Sequence, residues 1–150
     1  MEGFLRQVER YGPLVARVLL AQVFVVSAFG KINAFAPPPA LMGNLGLPLP
    51  QFLLGLTLAL EIGGGLALAL GWQARLLAAA FFLFTLAASV VVHPFWAAEP
   101  ASFGGQLNNF MKNLAIMGGM LYVFVHGPGP LSLGRDEWLA PTAPPAKPKR

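Results

Sequence analysis

Cysteine is absent from the 150-residue chain, which excludes a disulfide, a thiolate zinc site and redox chemistry on the protein's own thiols. Charge is scarce as well. Asp, Glu, Lys and Arg make up 11% of the residues, against about 25% in an ordinary soluble domain, while 56% are hydrophobic. A glycine-rich nucleotide loop, a haem motif and a nucleophile elbow are missing. No period-two alternation suggests strands, and no 20 to 50 residue repeat suggests a solenoid. Only two histidines are available as soft ligands, and His93 and His126 fall at opposite ends of the apolar segments, so no metal site is expected. A net charge of +4 and a pI near 10 would suit nucleic acid, but the basic residues form no cluster on a polar face. No nucleic-acid partner is expected.

What the chain has instead is long apolar runs. Crossing a hydrocarbon core of ~30 Å takes about 20 helical residues, and four segments qualify: Leu14 to Ile32, Gln51 to Gly71, Arg75 to Val92 and Phe110 to His126. The turn sequence GLPLP opens the second, and GPGP stops the fourth. The expectation is an all-α, membrane-spanning four-helix bundle over 14–127. An N-terminal segment, 1–13, precedes it, and a proline-rich tail, 128–150, follows. The tail, ending APTAPPAKPKR, is too rich in proline to pack. Four spans put both termini on one side, together with Arg6, Arg10, Arg17, Arg75, Arg135, Lys147, Lys149 and Arg150. The other side has Lys31 and Lys112. By the positive-inside rule the termini are cytoplasmic in a cell inner membrane. The first segment is longer than a signal-peptide core, and an uncleaved anchor is expected.

Glu61 sits inside the apolar run LALEIGGGLALALG, about ten residues from either end of its span and so roughly 15 Å deep. A charge there is costly, by about 2.5 to 3.5 kcal/mol on insertion scales, and must be paired, protonated or wet. Depth ranks the partners. Arg17 lies roughly 9 Å from the Glu61 level, whereas Lys31 and Lys112 lie roughly 12 Å away at the opposite edge, where lysine can snorkel outward. An Arg17 to Glu61 pair is therefore expected, either as a structural ion pair or as part of a proton-handling site. Gly64 and Gly65 follow Glu61 at i+3 and i+4. A second ridge of Gly55, Ala59, Gly63, Ala67 and Gly71 repeats every four residues. Small residues on two sides predict that this helix packs between neighbours.

At the non-cytoplasmic side Lys31 ends the first helix, His93 ends the third, and Lys112 with Asn113 begins the fourth. Two inward stripes are expected: Arg17, Ala21, Phe24, Ala28 and Lys31 in the first helix, and Arg75, Ala79, Phe82, Leu86, Ser89 and His93 in the third. Together they predict a pocket in which Lys31, Ser89, His93 and Lys112 converge, able to bind a quinone's carbonyls or a small anion, with His93 supplying a proton. The bland alternative is an interfacial ring of polar side chains at headgroup level.

The ordered motifs resemble the DoxX family of small membrane proteins. They are Arg17 in the first helix, Gly30-Lys31, GLPLP, E-x-x-GG followed by LG and Arg75, His93 before FW, FMKNLAIMGG at 110–119 and GPGPLSLG at 127–134. Family-like positions are Arg17, Lys31, Glu61, Arg75, His93, Lys112 and Asn113. The resemblance implies a four-helix inner-membrane protein. The family name comes from subunits of a thiosulfate:quinone oxidoreductase, and some members are thought to associate with oxidative-stress enzymes. Where many relatives have Asp after GPG-x-x-SL, this chain has Gly134 and reaches an acid only at Asp136. Three functions are left open: a quinone-interacting or accessory redox subunit with Glu61 and His93 as the reactive groups, a membrane scaffold, or a conduit for a small solute or protons. The expected partners are lipid, membrane or peripheral redox proteins and a second copy of the chain. Quinone is the expected ligand, and no covalently bound cofactor is anticipated.

Overall fold

The computed structural model describes residues 1–33, 43, 44, 46 and 48–134. Among these the chain forms four long helices: α1 (Glu2–Ile32), α2 (Pro50–Leu70), α3 (Ala74–Val92) and α4 (Pro100–His126). A short 3-10 turn, Phe95–Ala97, joins the last two. The all-α four-helix expectation is met, with two boundaries moved. α1 begins at Glu2 rather than Leu14, with Pro13 inside it, and α4 begins at Pro100 rather than Phe110. Apolar content marks where hydrocarbon would begin, not where backbone hydrogen bonding begins, and a proline in the first helical turn is a good start. The PPP of residues 37–39, and Arg135, Asp136, Lys147, Lys149 and Arg150 with the rest of the tail, lie outside the described residues.

α1, α2 and the stretch Ala74–Ala97 are each long and apolar enough to cross a membrane. α4 is more polar in its first half, where Asn108, Asn109, Lys112 and Asn113 fall. It nevertheless runs antiparallel along the whole of α3. His93 meets Gln106 at one end, and Arg75 donates to the carbonyls of Phe124 and Val125 at the other, at 2.6 and 2.8 Å. Arg75 thus occupies carbonyls that the last turn of α4 leaves without an intrahelical donor, and its charge suits that end of the helix dipole. Many large apolar side chains, such as Leu19, Val26, Phe52 and Leu83, point outward. Among lipid tails this surface is ordinary.

Close approach of the helices relies on a few glycines. A Cβ at Gly65 would lie 2.8 Å from Val25 Cγ2, and one at Gly119 would lie 2.8 Å from Leu20 Cδ2. Gly64 touches Leu77 and Phe81 of α3. Between α2 and α3 the chain reverses at Gly71, whose φ of 77° suits a residue without Cβ. There the Trp72 N–H reaches the Ala67 carbonyl and the Gly71 N–H reaches Leu68, a Schellman closure. The core fills this half of the bundle with Ala21, Phe24, Leu68, Phe81, Met120 and Val123, and the Phe24 and Phe81 rings stack 4.0 Å apart.

Two packing expectations are corrected. The second ridge of α2 is not held between neighbours: Gly55, Ala59 and Gly63 are exposed, and nothing lies within 4 Å of a Cβ at Gly55 or Gly63. At the other end of that ridge Ala67 is half-buried and Gly71 is packed against Ser132 and Arg17, so the ridge is covered only there, while the Gly64 and Gly65 side is packed at mid-helix. The inward stripe of α3 is Ala74, Ala78, Phe81, Thr85 and Ser89, while Leu86 is exposed. Of the expected stripe Ser89 is buried, Phe82 packs against the core and His93 reaches the cavity, whereas Leu86 faces outward and Arg75 turns to the end of α4. The α1 stripe is as expected, with Arg17, Ala21, Phe24 and Ala28 buried.

Candidate functional site

The half of the bundle beyond the Phe24–Phe81 layer is not filled. A cavity of about 590 Å³ opens there between all four helices. Its walls are mostly aliphatic, from Leu53, Leu56 and Leu60 of α2 to Ala88 and Val91 of α3. Its polar lining includes Lys31 and Ser27 from α1, Glu61 and Thr57 from α2, Thr85 and His93 from α3, and Asn113 from α4.

Glu61 is 1% exposed, and both of its carboxylate oxygens accept from Lys31 Nζ, at 2.7 and 2.8 Å. Lys31 donates as well to Ser27 Oγ, 2.7 Å away. This corrects the expected partner. Gly65 packs against Ala21 and Val25, and that contact sets the register of the antiparallel pair α1 and α2. Counting from it, Glu61 lies about level with Ser27, some four residues or ~6 Å from Lys31 but about ten residues or ~15 Å from Arg17. Lys31 folds back toward the bundle instead of snorkelling outward.

Arg17 serves the other end. Its guanidinium donates to the carbonyls of Pro128, Leu131 (2.6 Å) and Ala69 (3.4 Å), tying the chain after α4 to α1 and α2. It takes no part in the cavity. Ser89 is fully buried and bonds back to the Thr85 carbonyl at 2.6 Å, so it does not converge on the site. Lys112 is exposed and does not line the cavity either. Of the sequence-derived site residues, the structure brings together Lys31, Glu61, His93 and Asn113. It adds Gln106, whose side-chain oxygen lies 2.8 Å from His93 Nδ1, and Thr85. The i+13 spacing of His93 and Gln106 across a helical hairpin carries no periodic signal, and threonine in an apolar helix is common.

Glu61 lies in a local irregularity. α2 is π-helical over Leu60–Gly64. Such turns insert extra backbone into an α-helix and recur at functional sites. Leu53, Thr57, Leu60 and Glu61, at i, i+4, i+7 and i+8, share the cavity face, and the π-turn shifts the phase of the residues that follow them.

The polar groups form two levels. Gly64 packs against Leu77 and Phe81, which puts Thr85 within about one turn of the Glu61 level. The α3–α4 pairing from His93–Gln106 to Arg75–Phe124 puts Asn113 at nearly the same depth. Lys31, Glu61, Thr85 and Asn113 therefore form an inner level, near the middle of α2. His93 and Gln106 form an outer one, eight residues or ~12 Å from Thr85 along α3. Two inner groups carry free hydrogen-bonding capacity. Thr85 Oγ1 is buried without a partner, and the Asn113 amide has none among the described residues.

Comparison with known proteins fits this architecture. The DoxX family model matches residues 12–94, more than half of the chain. This chain belongs to the DoxX family. Two Escherichia coli (strain K12) relatives are similar along most of their length. Inner membrane protein YqjF is 36% identical over 133 residues, covering 87% of this chain and 95% of the relative. Inner membrane protein YphA is 31% identical over 122 residues, covering 81% and 87%. No solved structure gives a significant match. The matched DoxX region holds Lys31, Glu61, Thr85 and His93, and ends before Asn113.

Proposed function

We propose that this DoxX-family protein is an inner-membrane subunit or accessory of a redox system, and that its cavity receives the head of a quinone-type ligand. The observation that supports the reading most is the Lys31–Glu61 pair, held near the middle of α2 on the wall of an apolar cavity. Lys31 is 26% exposed and lines the cavity with Glu61, so the pair is within reach of a ligand there. Lys31 and Asn113 are donors suited to a ligand carbonyl. Glu61 can hold or pass a proton, and His93 stands toward the rim, where a proton would be exchanged with solvent. A single quinone ring has its carbonyls about one helical turn apart, so it engages the inner level or the outer one, not both. With no cysteine, the chain has no thiolates to hold an iron–sulfur cluster. Electrons then come from a partner protein or from the quinone pool. The likeness to two inner membrane proteins supports the location, and Arg6, Arg10, Arg17 and Arg75 at one end support cytoplasmic termini.

In isolated membranes, Glu61→Gln and His93→Ala are expected to abolish protein-dependent quinone reduction while the protein still inserts at normal levels. Unchanged reduction in both variants would contradict the redox reading. One observation favours a second reading, a scaffold. The ridge of Gly55, Ala59 and Gly63 is uncovered and suits close approach by another transmembrane helix. In that case Gly63→Leu with Ala67→Leu disrupts assembly, and the Glu61 and His93 variants do not. Conduction through the bundle meets the Phe24–Phe81 layer, which closes the cavity toward the Arg17 end.

A further inference from the structure

We infer that the cavity is filled sideways from the bilayer, between the outer halves of α2 and α3, by an amphiphile whose head seats on Thr85 and Asn113. The inference rests on the cavity being the ligand site but not on the ligand being a quinone. Three observations carry it.

The first is the shape of the opening. α2 and α3 meet closely at Gly64, which contacts Leu77 and Phe81, and the cavity lies beyond that contact. Its wall on this side is Leu53, Leu56 and Leu60 facing Phe84, Ala88 and Val91. Leu56 is 59% exposed and Val91 36%, so residues that line the cavity also lie on the surface that lipid covers. A ligand tail can leave through this gap without crossing a polar surface.

The second is an unmet hydrogen bond. Thr85 is 4% exposed, and its hydroxyl has no partner among the described residues although it belongs to the cavity wall. In an apolar bundle an unpaired hydroxyl is destabilising, and native proteins keep few of them. Asn113, at the same depth, presents an amide with no hydrogen-bond partner among the described residues. A head bearing a carbonyl or hydroxyl, placed between them, satisfies both.

The third is the placement of charge. The inner level already holds an ion pair, so a neutral polar head is preferred to a charged one, which would leave a net charge near mid-bilayer. The ligand class is therefore a neutral, hydrogen-bonding head on a hydrocarbon chain.

The test uses the full chain in lipid nanodiscs and three probes: a decyl benzoquinone with a photoreactive diazirine on the chain, the same ring without a chain, and the same diazirine chain on a benzamide head. Adducts are located by mass spectrometry, and folding of each variant is checked by monodispersity. Both chain-bearing probes are expected to label Leu53, Leu56 or Val91. Leu56→Trp, on a lipid-facing position, should suppress that labelling, and Thr85→Val should weaken probe affinity about five-fold. Labelling at Val23 and Ser27 instead, on the α1–α4 side, overturns the entry route. So does equal competition by the chainless ring with no effect of Leu56→Trp. If the benzamide probe labels the gap and the benzoquinone probe does not, lateral entry stands and the quinone reading falls. If no probe labels the cavity, both fall.

Discussion

Lys31 and Glu61 are unequal partners. The lysine is partly exposed and can reach polar surroundings, whereas the carboxylate is enclosed by helices. Removing the lysine therefore strands a buried charge. Lys31→Ala is expected to destabilise the protein by about 3 kcal/mol, the lower end of the range for breaking a buried pair. Glu61→Gln should cost less, and the double variant should recover much of the loss. Thermal unfolding of the four proteins in one detergent measures this cycle. Arg17 gives a contrasting expectation. Its contacts to the Pro128 and Leu131 carbonyls hold the segment after α4, so Arg17→Gln should speed proteolytic cleavage near residues 128–134 while leaving ligand binding in the cavity unaltered. If the Arg17 variant instead lost ligand binding selectively, the separation of the two ends would be wrong. The sequence marks Glu61 as a buried acid that needs a partner but not which cation supplies it, because depth counted from helix ends cannot reveal how two helices slide past each other.

On α2 the two glycine faces make opposite predictions. Gly65 faces Val25 at a distance that admits no side chain, and Gly119 is similarly crowded by Leu20. Gly65→Leu should force α1 and α2 apart and lower the melting temperature markedly, whereas Gly63→Leu, in open space, should leave the isolated protein's stability nearly unchanged. Differential scanning fluorimetry of both variants decides the point. The helices were legible in the sequence because apolar runs bounded by proline and glycine leave few alternatives. The buried α1 stripe was legible too, since α1 is regular and its period holds from Arg17 to Ala28. The faces of α2 and α3 were less so. A π-turn at Leu60–Gly64 interrupts the uniform 100° step on which a helical wheel relies. In α3, Arg75 was counted into the core although its charge belongs at the carbonyl end of α4.

Taken whole, the molecule is filled at one end and hollow at the other. The Arg17 end has a stacked aromatic core and arginine-capped carbonyls; the Lys31 end has the cavity and the ion pair. Membrane class and helix number followed from composition, but the cavity did not, because empty space has no signature in a linear sequence. Orientation is open to a clean test, since the chain has no native cysteine to interfere. Single cysteines at Gly3 and Pro130 should react with a membrane-impermeant maleimide only from the cytoplasmic side, and one at Ala98 only from the other. The account as a whole turns on which cation meets Glu61. Solid-state NMR on protein in lipid, with ¹⁵N on lysine and arginine side chains and ¹³C on glutamate carboxylates, measures that contact by dipolar recoupling. A strong coupling between Lys31 Nζ and the Glu61 carboxyl carbon, as the 2.7 and 2.8 Å contacts require, is the predicted result. Loss of that coupling, with Glu61 coupled instead to an arginine nitrogen, would contradict the register of α1 and α2 and the site built on it.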